Sequence, residues 1–118
     1  MTYVDGFVLA VKKAKIGAYK EMAELGRTVW MEHGALSYVE AQADDVAAGE
    51  VTSFPRAVLL EDDEICFFSF ITYESRAKRD EINAKVMADP RMKPPADGIM
   101  PFDMKRMIFG GFQAIVEG

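Results

Sequence analysis

Residues 65–72 read ICFFSFIT, and this stretch decides the fold because it is apolar on both sides of a strand. Successive side chains of a strand point to opposite faces of a sheet, yet only Ser69 and Thr72 interrupt the apolar residues here. Tyr3–Val11 and Met107–Val116 show a similar two-sided pattern. An antiparallel sheet that leaves one face in water normally carries polar residues on that face. We therefore expect both faces of this sheet to be covered.

Two helices are predicted between the strands. Residues 15–33 place Ile16, Tyr19 and Trp30 in one arc at helical spacing, which is typical of an amphipathic helix. Gly34 follows as a left-handed cap, and residues 35–44 alternate as a half-buried strand does. Ser75 is the predicted N-cap of a second helix, which ends near residue 88 because a proline follows at position 90.

The resulting order is β-α-β-β-α-β, which is the α+β order of a ferredoxin-like fold with an antiparallel sheet. In that fold both helices lie on one face of the sheet, and the first and third strands are central. The opposite face then requires another cover. We predict a homodimer in which two copies join through this sheet face into a dimeric α+β barrel.

Length and charge restrict the class of protein. The chain has 118 residues, 50% of them hydrophobic, and we expect residues 1–118 to form a single domain. A formal charge of −5 argues against nucleic-acid binding. The single cysteine, Cys66, lies in an apolar strand and is predicted to be a buried thiol. No basic leader and no apolar run of membrane-spanning length is present, so we expect a cytoplasmic protein without a membrane partner.

Two connections are long. The segment from Asp44 to Ile65 predicts a hairpin with an elaborated arm, and residues 90–105 hold four of the five prolines. A long irregular connection in a small domain is usually functional, disordered or packed on a partner.

Several strings of residues match a known family. These are residues 84–92 (AKVMADPRM), 100–112 (MPFDMKRMIFGGF), 3–7 (YVDGF) and 51–56 (VTSFPR). On these strings the whole chain resembles the YbaA-like family, catalogued as domain of unknown function 1428, although Met104 stands where the family pattern has glycine. The resemblance implies a dimeric α+β barrel, as in small cofactor-independent monooxygenases, stress-response barrel proteins and muconolactone-isomerase-like enzymes. It implies no established activity and no cofactor.

His33 is the only histidine, which excludes metal sites that need two imidazoles from one chain. Its position at the end of the core-facing stripe makes it a candidate catalytic base or hydrogen-bond donor at the mouth of a pocket. The alternative is structural, because a histidine in the last helical turn can bind free carbonyl groups there.

Three charged residues before the last strand are candidate ligand-binding residues. Asp103, Lys105 and Arg106 lie beside apolar side chains, and Arg106 could hold a carboxylate through two hydrogen bonds. Alternatively, these charges pair with one another or with a second subunit. Arg56, which follows residues 53–55 (SFP), is predicted either to point into a pocket or to cap a turn.

Trp30 and Tyr38 are candidates to line a cleft between the first helix and the sheet, although aromatic residues are more often core. The leading hypothesis is a cavity between sheet and helices that binds a small anionic or aromatic metabolite. One alternative is a cofactor-independent monooxygenase or isomerase, in which His33 moves a proton and Arg106 holds substrate charge. Another is a structural or protein-interaction module that uses the proline-rich segment.

Overall fold

A computed structural model describes residues 1–118 and contains one four-stranded antiparallel sheet. The strands are β1 (Tyr3–Lys12), β2 (Ser37–Gln42), β3 (Glu64–Tyr73) and β4 (Ile108–Gln113), and the helices are α1 (Ile16–Glu32), α2 (Phe54–Ala57) and α3 (Arg76–Ala88). Short 3-10 turns occupy Lys13–Lys15 and Pro90–Met92. The sheet order is β2-β3-β1-β4. The ferredoxin-like fold is therefore confirmed, with β1 and β3 in the centre.

The ends of the long helices follow the sequence signals. α1 leads into β2 through Gly34, whose φ of 116° lies in the left-handed region. The Ser75 hydroxyl caps α3 by accepting a hydrogen bond from the backbone N–H of Lys78 at 3.1 Å. α1 buries Tyr19, Ala23, Gly26 and Val29, whereas α3 buries only Ile82 and Val86. The first helix is thus the main cover of the sheet, as predicted.

The core lies on the side of the sheet that faces α1 and α3, which we call the helix-side face. One group of side chains joins β1 and β3 to the start of α1, and another joins them to α3. The buried members are Tyr3, Leu9, Val11, Tyr19, Ala23, Val29, Ala35, Phe67, Ile71, Tyr73, Ile82 and Val86.

The opposite side of the sheet, here called the open face, is apolar and largely uncovered. The strand register aligns side chains from all four strands on it: Val4, Gly6, Val8, Ser37, Val39, Ala41, Phe68, Phe70, Thr72, Ile108, Gly110 and Phe112. Phe68, Ile108 and Phe112 are 43%, 45% and 62% exposed. No charged side chain lies on this set, so the two-sided apolar pattern of the central strands is present in the fold as predicted.

The arm between β2 and β3 covers one end of the open face. Val58 is fully buried there against Val8, Ala10 and Cys66. The arm contains the one-turn helix α2, which the sequence interpretation did not predict. Ser53 caps α2 by accepting a hydrogen bond from the backbone N–H of Arg56 at 3.1 Å, and a proline stands in its first turn.

The strand ends also differ from the predicted ones. β4 stops at Gln113 rather than Val116, and β2 is confined to Ser37–Gln42. Among the helices, none has both the length and the apolar character needed to cross a bilayer.

Candidate ligand-binding site

A cavity of about 470 Å³ lies on the helix-side face of the sheet, beneath α1 and α3. Residues from the segment before β4 close part of it. Most of its lining is apolar or aromatic, including Leu9, Tyr19, Met22, Trp30, Tyr38, Ile71, Tyr73, Met87, Met92, Phe102 and Met107. A concave site of this size and composition, with a few polar groups, is typical of sites for small organic molecules.

Glu40 of β2 supplies a carboxylate to this cavity. Its Oε2 accepts a hydrogen bond from the Tyr19 hydroxyl at 2.7 Å, and its Oε1 accepts one from the Tyr38 hydroxyl at 3.3 Å. Burial raises the pKa of Glu40, and the two phenol donors offset this in part. Burial and the nearby carboxylate also raise the pKa of both tyrosines, so they remain protonated donors.

The same three residues also line a neighbouring cleft. This cleft, of about 470 Å³, lies between α1 and β2, and Tyr19, Tyr38 and Glu40 line both spaces. Gly26 permits this arrangement, because a Cβ at that position would lie 2.6 Å from the Tyr38 hydroxyl oxygen. α1 therefore approaches β2 closely only because residue 26 has no side chain.

A second polar group lies where α3 crosses the sheet. The Asn83 side-chain oxygen accepts hydrogen bonds from the Trp30 indole N–H at 3.1 Å and from the Tyr73 hydroxyl at 3.4 Å. Beside it, Arg79 donates to the Asp5 carboxylate at 2.6 Å. All of these residues line the cavity, so its polar groups are fixed by partners from other elements.

Of the residues predicted from sequence, only two lie at the cavity. Trp30 and Tyr38 line the cavity, with ring centroids 6.0 Å apart. His33 lies outside the lining, where its Nε2 is 3.1 Å from the Asp89 Oδ2. Hydrogen bonds from Arg91 hold the pKa of Asp89 well below its usual range, and His33 adds to this effect. This is the geometry of a structural contact between the ends of α1 and α3.

Arg106 is held by other residues of the same chain. Its guanidinium binds both carboxylate oxygens of Glu64, at 2.8 and 2.6 Å, and its Nε donates to Asp103 at 3.0 Å. These bonds hold the pKa of Glu64 below its ordinary value. Lys105 is exposed. The predicted cluster thus ties the segment before β4 to the start of β3, and none of its three residues lines the cavity.

Arg56 also forms its hydrogen bonds within its own chain. Its Nε donates to the Ala48 carbonyl oxygen at 2.8 Å and its Nη2 to the Gly49 carbonyl oxygen at 3.0 Å. The side chain closes the arm between β2 and β3. The roles proposed for His33, Arg56, Asp103, Lys105 and Arg106 in ligand binding remain predictions.

Five polar residues of the cavity were not predicted as site residues: Asp5, Glu40, Ser69, Arg79 and Asn83. A signal existed for Glu40, because strand alternation places it on the same face as Tyr38. No cluster of three His, Cys, Asp or Glu side chains suited to a metal ion is present.

Comparisons with known proteins identify relatives in sequence. The model of a family described as "Protein of unknown function (DUF1428)" matches residues 2–104. The Escherichia coli (strain K12) protein named "Uncharacterized protein YbaA" is 50% identical over 117 residues, which cover 99% of each chain. A Shigella flexneri protein of the same name matches equally well.

Solved structures extend the likeness in fold. A putative antibiotic biosynthesis monooxygenase from Nitrosomonas europaea superposes with a TM-score of 0.60 at 14% identity, covering 97% of this chain and 90% of that one. A dimeric ferredoxin-like protein from an uncultured marine organism gives a TM-score of 0.63 at 12% identity, with full coverage of both chains. At these identities the likeness shows the fold alone.

Proposed function

The chain belongs to the DUF1428 family of proteins of unknown function, and we propose that it acts as a homodimer whose subunits each bind a small aromatic molecule. The observation that carries the binding proposal is the cavity of about 470 Å³ beneath α1 and α3, with its aromatic lining and few fixed polar groups. Of the two ligand classes predicted from sequence, this lining favours the aromatic one, because the predicted cations lie elsewhere.

The open face supports the dimer. Its centre holds no charge, and covering each half-exposed Phe or Ile contributes roughly 1 kcal/mol. Phe54 of α2 packs edge-on against Phe68 with ring centroids 5.9 Å apart, so the arm extends the apolar surface. A second copy offers the same apolar surface in return, as a two-fold interface requires. One solved neighbour of the same fold is described as dimeric.

Sedimentation equilibrium at micromolar concentration tests the assembly. We expect a mass twice the 13.2 kDa of one chain. A single species of 13.2 kDa would contradict the dimer without affecting the cavity.

Binding can be followed through Trp30, which is the only tryptophan and lines the cavity. We expect 2-phenylethanol to change the Trp30 emission in a saturable way. Ser69→Leu should abolish this change, because Ser69 is buried on the cavity side and the larger side chain fills the space. Thr28→Leu, on the exposed side of α1, should leave it intact. If neither 2-phenylethanol nor any other small aromatic probe of its size gave a saturable change in the wild-type protein, the binding proposal would be refuted.

A second candidate is cofactor-independent chemistry in the same cavity. The observation that favours it is Glu40, a carboxylate of raised pKa that lines the cavity. Isomerisation suits such a group best, since it only moves a proton from one substrate atom to another. A panel of phenols and lactones, assayed with the wild-type protein and with Glu40→Gln, tests this, and a reaction that Glu40→Gln leaves unchanged would exclude Glu40 from the chemistry.

A further inference from the structure

The negatively charged residues that line the cavity outnumber the positively charged ones. Two carboxylates, Asp5 and Glu40, and one guanidinium, Arg79, line it. Arg79 is bound to Asp5 at 2.6 Å and to Asp80 at 2.8 Å, so its charge is already matched. Glu40 takes part in no ion pair, and its hydrogen bonds come only from the neutral hydroxyls of Tyr19 and Tyr38. The cavity therefore carries one carboxylate without a counter-cation.

The cations on neighbouring elements do not neutralise Glu40. Lys20 and Arg27 of α1 line the outer cleft, but Arg27 is bound to Glu24 at 2.9 Å, and Lys20 forms no ion pair with Glu40. A carboxylate in a partly buried site gains free energy when a cation with N–H donors joins it. The unmatched charge thus attracts a positive group and repels an anionic one.

Glu40 also has free hydrogen-bonding capacity and aromatic neighbours. A carboxylate offers about four acceptor positions, and the two tyrosines occupy two of them. Ser69 lies opposite Glu40 in the strand register, is buried on the cavity side, and makes no side-chain hydrogen bond within the protein. Tyr19, Trp30 and Tyr38 also line the cavity, and the ring centroids of Trp30 and Tyr38 lie 6.0 Å apart. Aromatic faces bind cations favourably.

We infer that the ligand of this cavity is an organic amine, whose protonated nitrogen pairs with Glu40 and whose apolar part lies among the aromatic side chains. The inference rests on the proposed binding function and names the chemical class of its ligand. The nitrogen donates to Glu40 and to the Ser69 hydroxyl oxygen, both of which are accessible from the cavity. The hydroxyl of Tyr38, at 3.3 Å from Glu40, is the weaker of the two existing donors and yields to the ligand first.

Three probes of nearly equal shape and different charge test the inference: 2-phenylethylamine, 2-phenylethanol and 3-phenylpropionate. Titration calorimetry on the wild-type protein should rank them in that order. We expect the amine to bind at least about tenfold more tightly than the alcohol, as a charge-assisted hydrogen bond requires. Glu40→Gln should remove this advantage, so that the amine and the alcohol bind the variant with similar affinity. Glu50→Gln, the same change in the exposed arm, should retain it.

Equal binding of amine and alcohol by the wild-type protein, or an amine preference that survives Glu40→Gln, would overturn the inference while leaving the cavity as a binding site. Failure of all three probes to bind would overturn the proposed function and the inference together. The ranking on the wild-type protein decides the question even if Glu40→Gln does not fold.

Discussion

The two faces of the sheet are built by the same strands, but their chemistry differs. The helix-side face buries the polar side chains of Asp5 and Ser69 and half-buries Glu40, and no fully enclosed polar atom lacks a partner. The centre of the open face contains no charge, and its only ionic group, Glu64 with Lys12 and Arg106, lies at one end. A surface with buried polar groups accepts only a partner that matches their hydrogen bonds and charges. A uniformly apolar surface requires only a partner of complementary shape. The first face suits a specific small ligand and the second a second copy of the chain.

Charging the open face should have the largest effect. Phe70 lies at its centre, between Gly6 of β1 and Val39 of β2. Phe70→Asp would place a carboxylate in the proposed interface, where removing it from water costs several kcal/mol. We expect the dimer dissociation constant to rise at least about a thousandfold, as measured by sedimentation. Leu25→Asp, on the exposed side of α1, is the matched control and should remain dimeric. A dimeric Phe70→Asp protein would place the interface elsewhere.

Breaking the ion cluster at the end of the open face should destabilise the subunit rather than the dimer. Arg106→Met leaves the buried Glu64 carboxylate without its bidentate partner, and such a loss costs roughly 3 kcal/mol. Urea unfolding measures this as a lower midpoint. Arg27→Met removes the ion pair to Glu24, in which both side chains are exposed, so its effect should be much smaller. Equal decreases in the urea midpoint of the two variants would show that the burial of Glu64 does not increase the cost of removing its partner.

Low pH should destabilise the fold through the protonation of Glu64 in the same ion cluster. The pKa of Glu64 is lowered in the folded protein by its bonds from Arg106, so this group stabilises the fold above the unfolded pKa of about 4.3. The contribution is lost as the pH falls through the lower folded value, because the unfolded chain then binds the proton more readily. The free energy of unfolding should therefore fall more steeply below pH ~4.3 in the wild-type protein than in Glu64→Gln. If the free energy of unfolding fell with pH equally in the two proteins, Glu64 would not contribute to the loss of stability in acid.

The fold could be predicted from the sequence because it follows from local patterns of residues. The two-sided apolar runs of β1 and β3 predicted central strands, and Ser75 and Gly34 marked the ends of helices correctly. The cavity and two of its residues, Trp30 and Tyr38, could also be predicted, through the stripe of α1 and the alternation of β2. Glu40 was treated only as one member of a half-buried strand.

The partners of the charged residues could not be predicted from the sequence. Arg106 was predicted either to hold a ligand or to fix a loop, and the choice depends on Glu64, which lies 42 positions away in the chain. The pairing of Arg79 with Asp5 spans 74 positions. Such contacts follow from strand register and helix placement, which no local spacing specifies. The short helix α2 was missed because four residues give too little periodicity to detect.

The close approach of α1 to the helix-side face can be tested with two glycines. Gly26→Ala places a methyl group 2.6 Å from the Tyr38 hydroxyl oxygen, and we expect it to lower the free energy of unfolding by about 1–2 kcal/mol. Gly17→Ala, in the same helix, meets no atom within 4 Å. It should stabilise the protein by up to about 1 kcal/mol, because alanine favours the helix. Thermal unfolding of both variants gives the signs, and a stabilising Gly26→Ala would mean that Tyr38 moves aside without cost.

The smallest expected effect concerns the two phenols on Glu40. Each stabilises the ionised carboxylate, so Tyr19→Phe and Tyr38→Phe should both raise the pKa of Glu40, as followed by carbon-13 chemical shifts of the side-chain carboxyl. Tyr19→Phe should raise this pKa more, since the Tyr19 bond is 2.7 Å long and the Tyr38 bond 3.3 Å. In Tyr38→Phe the carboxylate also keeps its better donor and gains a free acceptor position on the cavity side. If the two variants shifted the pKa equally, Tyr38 would be as firm a partner as Tyr19, and an incoming ligand would have to displace a bond of full strength to reach Glu40.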